Sequence, residues 1–146
     1  MAWRVLFFTW LLSNCSNDHS DIQNLSRMSI FHGNSSKIWV INKVTMKGVN
    51  YAAYPLKEKD VAIFYDDQTI LIQPMNSLGE FPNRSGFLTL LDDNSTCEFS
   101  FPKENWIFEV REISSKRILL HHKAKSDFNY DLELIAYPKS DYLKLK

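Results

Sequence analysis

The chain has 146 residues, 45% of them hydrophobic and 14% aromatic, and it balances 17 basic against 17 acidic side chains. That apolar content is enough for one packed domain, and formal neutrality excludes the strong field that gathers nucleic acid or an anionic membrane surface. Two cysteines allow one disulfide at most.

The chain opens MAWRVLFFTWLLSNC, with a single cation, Arg4, ahead of an apolar run from Val5 to Leu12 and then the polar pair Ser13 and Asn14. A charged start, a short apolar run and a small or polar end are the parts of a secretory signal peptide. A bilayer-spanning helix needs about twenty apolar residues to cross roughly 30 Å of hydrocarbon, so this run is too short for one. Leu12, Ser13, Asn14 and Cys15 resemble the lipobox of bacterial lipoproteins. The resemblance implies loss of residues 1–14, a diacylglyceryl group on Cys15, attachment to the bacterial outer membrane through that lipid, and no choice between its two faces. An ordinary signal peptide followed by an incidental Cys15 is the alternative.

Residues 16–36, SNDHSDIQNLSRMSIFHGNSS, are rich in Ser, Asn and Asp and show no apolar periodicity. Such a composition does not bury enough surface to fold by itself, so it reads as a flexible tether between Cys15 and a domain over residues 37–146.

From residue 37 the apolar pattern has period two. Strands are predicted over 37–46, 60–66, 68–74, 86–91, 95–101, 105–113, 117–123 and 128–137, separated by turn-formers such as Asp66-Asp67, Pro82-Asn83, Asp92-Asp93-Asn94 and Ser114-Ser115. Trp106, Phe108 and Val110 fall on one face and Glu109 and Arg111 on the other, as do Tyr130, Leu132 and Leu134 against Asp131 and Glu133. About eight short strands joined mostly by tight turns predict an all-β, antiparallel up-and-down meander, and closure into a barrel removes its two edges. The segment 47–59 is long for a hairpin and carries Tyr51, Tyr54, Pro55 and Leu56, a candidate lid over one mouth.

Trp39 early in the first strand, Ile63-Phe64 with Asp66-Asp67 before the second hairpin strand, Gly86 opening another strand, and Trp106-Ile107-Phe108 followed by Arg117-Ile118-Leu119-Leu120 together resemble bacterial lipocalin-like domains. The resemblance covers roughly residues 37–137 and implies a lipocalin-like barrel.

Cys97 alternates with Phe99 and Phe101 and reads as a small buried hydrophobe, with a bridge to Cys15 as the rival in a protein that carries no lipid. The triplet Asn-x-Ser/Thr occurs at Asn14, Asn24, Asn34, Asn83 and Asn94, five of eleven asparagines where one or two are expected by chance. A eukaryotic secreted, N-glycosylated lipocalin-like protein therefore stays open as a third possibility.

Chemistry is sparse. No nucleophile motif or Gly-rich phosphate loop is present. His121 and His122 are adjacent on a strand and so face opposite ways, which excludes joint chelation. The paired acids Asp66-Asp67 and Asp92-Asp93 sit in turns, where Asp bonds its own backbone. Neither an enzyme, a metal site nor a cofactor is expected, and no nucleic-acid partner.

What remains is the interior, where Trp39, Phe64, Phe99, Trp106, Phe108 and Tyr130 are the candidate walls for one small hydrophobic ligand. The first functional expectation is thus a non-enzymatic extracytoplasmic lipoprotein that binds such a ligand. The alternative is a structural or interaction accessory of the cell envelope whose barrel is filled by its own side chains.

Overall fold

The computed structural model describes residues 27–50, 56–57, 59–80, 84–91, 95–123 and 129–137. They form nine strands: β1 (Ser36–Met46), β2 (Val49–Asn50), β3 (Asp60–Tyr65), β4 (Thr69–Pro74), β5 (Arg84–Leu90), β6 (Thr96–Phe101), β7 (Glu104–Ile113), β8 (Arg117–His122) and β9 (Asp131–Ala136). Each pairs antiparallel with its neighbour, and β1 also pairs with β9, from Trp39 opposite Ala136 to Thr45 opposite Asp131. Eight strands therefore close an up-and-down barrel, consistent with the lipocalin-like architecture expected from the sequence. The short β2 folds back on the end of β1, Met46 lying opposite Val49.

Local chemistry sets the turns. Between β1 and β2, Lys47 and Gly48 both have positive φ (52° and 78°), the two-residue hairpin whose twist matches its strands. Between β3 and β4, the Asp67 carboxylate accepts a hydrogen bond from the Thr69 amide at 2.9 Å, and Gln68 takes the left-handed position at φ 69°. That bond holds the Asp67 carboxyl below the usual carboxylate range. At Gly86, a Cβ would fall 2.2 Å from the Ser100 carbonyl oxygen and 2.7 Å from the Phe101 ring, so only glycine allows β5 and β6 to approach there.

Strict alternation breaks at two places. The β1–β9 register shifts between Ile41 and Lys43, and the β7–β8 register shifts between Val110 and Glu112. Each irregularity advances the pattern by one residue, so Val44 rather than Lys43 follows Ile41 into the core, and Ile113 rather than Glu112 follows Val110.

The core takes in more of the chain than residues 37–137. Residues 27–32 are helical, Phe31 is fully buried, and Met28 and Ile30 pack on the core from the same turn. This part of the span read as a flexible tether is therefore integral to the barrel. Its six residues are too few to display a helical apolar stripe, which is why composition alone reads them as linker. Leu56, from the segment considered as a lid, is also fully buried in the core. Cys15 and residues 51–55 lie outside the described residues.

Candidate functional site

All six predicted wall residues are buried in the barrel interior. At the end where β1 begins, the short helix places Phe31 against Phe64 with ring centroids 5.2 Å apart. The Trp39 indole N–H donates to the Phe31 carbonyl oxygen at 2.7 Å, a buried bond that ties the helix to the first strand. The Lys37 ammonium lies 4.1 Å from the centre of the Trp39 ring and donates to the Ser115 carbonyl oxygen at 2.6 Å, so it closes this rim. Burial pulls the Lys37 ammonium below its ordinary value.

From Phe31 the contacts continue inward. Phe64 meets Phe99 at 5.7 Å, Phe99 meets Phe108 at 4.9 Å, and Phe108 meets both Tyr130 at 6.3 Å and His122 at 5.3 Å. His122 stacks on Tyr130 at 4.5 Å with 18° between the rings. In the strand order β3 and β6 stand three places apart, so the contact of Phe64 with Phe99 crosses the lumen rather than running along its wall. Each such tilted or edge-on pair adds about 0.5–1.5 kcal/mol beyond burial.

Trp106 does not join this chain. It packs on Phe101 at 4.6 Å, near the end where β5 and β7 begin, and donates its indole N–H to Glu104 at 3.0 Å. Arg84 pairs with Glu104 and lays its guanidinium over both rings, 5.2 Å from the centre of Trp106 and 6.0 Å from Phe101. The six predicted residues thus fall into three groups: Trp39 of β1 bonded to the short helix, Phe64, Phe99, Phe108 and Tyr130 across the middle, and Trp106 at the far rim. Sequence reasoning missed Phe31, His122 and Arg84 as members of the interior. Period two did place His122 opposite His121, but two adjacent histidines gave no sign of which one faces in.

Cys97 is fully buried, and burial pushes its thiol up, out of the range in which a thiolate acts as nucleophile or metal ligand. Among the described residues, no three His, Cys, Asp or Glu side chains gather closely enough to hold a metal ion.

The outer face of β7, β8 and β9 carries a network of charged side chains around Ile107, Leu119 and Ile135. His121 is half-buried and its Nδ1 lies 2.7 Å from Asp131. Arg117 donates to Glu133 at 2.7 Å and also pairs with Glu112, while Asn42, at the β1 bulge, donates to the other oxygen of Glu133 at 2.8 Å. Desolvation is the largest single influence on the Glu133 carboxyl and raises it. The bonds from Asn42 and Arg117, together with the charges of Arg117 and Lys43, outweigh it and hold the group below its ordinary value. Glu109 pairs with Arg111 at 3.2 Å and with Lys123 at 3.5 Å. No protein-family model matches the chain, and no curated protein matches it.

Proposed function

We propose that this protein is a non-enzymatic, extracytoplasmic lipoprotein of the bacterial outer membrane, anchored through Cys15, whose barrel is filled by its own side chains and serves as a structural or interaction module. The observation that carries the packed-barrel reading is the Phe64–Phe99 contact across the lumen, extended on both sides by Phe31 and Phe108. An eight-stranded barrel is near the size at which side chains either fill the interior or leave room for one small ligand. Here rings from nearly opposite walls touch, which favours filling. The LLSNC stretch supports the anchor.

The ligand-binding reading has one observation on its side. Arg84 presents a guanidinium over Trp106 and Phe101 at one rim, a polar handle at the mouth of an apolar interior. Native mass spectrometry of the membrane-extracted chain separates the two, with the packed barrel flying at the mass of the protein alone. A copurifying small molecule overturns the packed reading. Fluorescence of N-phenyl-1-naphthylamine gives an independent readout: no uptake by the native protein, and uptake by Phe99→Ala, whose missing ring opens a cavity. Intact mass tests the anchor separately. It should show residues 1–14 removed and a diacylglyceryl addition at Cys15, whereas N-glycans on Asn34 or its companions would move the protein to a eukaryotic secretory setting.

A further inference from the structure

Outside the barrel, a cavity of about 270 Å³ opens on the strands β1, β9 and β8, lined by Lys43, Thr45, Asp131, Glu133, Arg117 and Leu119. We propose that this groove is a binding site for a small zwitterion, an α-amino acid with an apolar side chain.

Three observations lead there. The lining carries two cations and two carboxylates, so it favours neither a net anion nor a net cation and suits a ligand that brings both charges together. The commitments of these groups differ. Arg117 is held by Glu112 and Glu133, Glu133 also accepts from Asn42, and Asp131 is engaged by His121 through one oxygen only. Lys43 and Thr45 are two positions apart on one strand; Lys43 acts on Glu133 through its charge but makes no direct hydrogen bond or contact ion pair among the described residues, and the Thr45 side chain makes no hydrogen bond there.

The placement is also directional. Lys43 lies opposite Glu133 and Thr45 opposite Asp131 across the β1–β9 ladder, and Leu119 lies opposite Glu133 across the β8–β9 ladder. A donor edge on β1, a carboxylate row on β9 and an apolar floor on β8 thus stand side by side, at the spacing of adjacent strands, about 4.8 Å. A ligand carboxylate is received by the Lys43 ammonium and the Thr45 hydroxyl, its ammonium by the free oxygen of Asp131, and its side chain by Leu119. The register shift at Asn42 brings this about: it turns Lys43 outward and leaves Asn42 to brace Glu133. The site is independent of whether the barrel interior is filled.

The test is titration of the purified full chain with L-leucine, followed by isothermal calorimetry or amide chemical shifts. 4-Methylpentanoate, which lacks the ammonium, and 3-methylbutylamine, which lacks the carboxylate, serve as half-ligands. Saturable millimolar binding of leucine is expected, with each half-ligand roughly tenfold weaker or more, the factor that one lost charge-assisted hydrogen bond brings. Lys43→Met and Asp131→Asn, both at solvent-facing positions, are each expected to weaken leucine by a similar factor. No saturable response to leucine, equal binding of leucine and 4-methylpentanoate, or an unchanged affinity in Lys43→Met overturns the proposal.

Discussion

Around β3 the outside of the barrel is nearly as dry as the inside, whereas around β8 and β9 it is a lattice of paired charges. Ala62 and Phe64 point into the core, and their alternates Val61 and Ile63 lie on the outer face, yet Val61 is 0% and Ile63 8% exposed. Val61 pairs with Val40 and Gln73, and Ile63 with Ile38 and Leu71, so an apolar patch covers the exterior of three strands. Gln73 is buried there as well. On the face of β7, β8 and β9 the outward Glu109, Arg117, His121, Asp131 and Glu133 are joined by ion pairs and hydrogen bonds around Ile107, Leu119 and Ile135. The same backbone supports both faces. What differs is how each responds to a change in charge: a wet lattice tolerates it, and a covered apolar face does not.

Val61→Asp is the strongest way to break this comparison. It puts an unpaired charge at a fully buried site and should cost about 3–5 kcal/mol in urea denaturation. A loss below about 1 kcal/mol would mean that the outside of β3 is solvated. Glu133→Gln probes the charged face and should change stability near neutral pH by about 1 kcal/mol or less. Its informative effect is on pH dependence. Because the folded state lowers the Glu133 carboxyl, its contribution is present above the ordinary pKa and is lost as pH falls through the folded value. Between about pH 6 and pH 3 the native chain should therefore lose more stability than the Gln variant, and equal losses would show that the Asn42 and Arg117 bonds are immaterial. The smallest effect is expected at Phe87, which is 60% exposed on the outside of β5. Phe87→Ser should change stability by no more than about 0.5 kcal/mol, and a larger loss would extend the covered face past β4.

Much of the barrel is legible in the amino-acid sequence. Seven of the eight predicted strands lie within two residues of their observed bounds at each end, because half-buried strands write their faces into period two. The eighth, β9, starts later than predicted, at Asp131 rather than residue 128. The sequence Asp-Val-Ala-Ile-Phe-Tyr of β3 was equally legible as a strand, although its unbroken apolar run carried a second message, burial on both faces. Less legible were the two-residue β2, too short for any pattern, and the helix over 27–32, masked by its polar surroundings. The interior candidates Trp39, Phe64, Phe99, Trp106, Phe108 and Tyr130 were found by alternation, but their division into a crossing chain and a separate rim cluster was not. Which rings touch depends on strands far apart in sequence. The outer groove left no trace either, since Lys43, Leu119 and Asp131 come together only across three strands.

The amino-acid order by itself determined strand positions, inward and outward faces and the turns, because each depends on residues within a few places of one another. Tertiary structure alone decided the register in which β1 meets β9, that two bulges shift the pattern by one residue, that Phe31 enters the core, and that Phe64 and Phe99 meet across the lumen. Those outcomes depend on pairing and packing between distant segments, and local periodicity carries no record of which distant segment will be the partner.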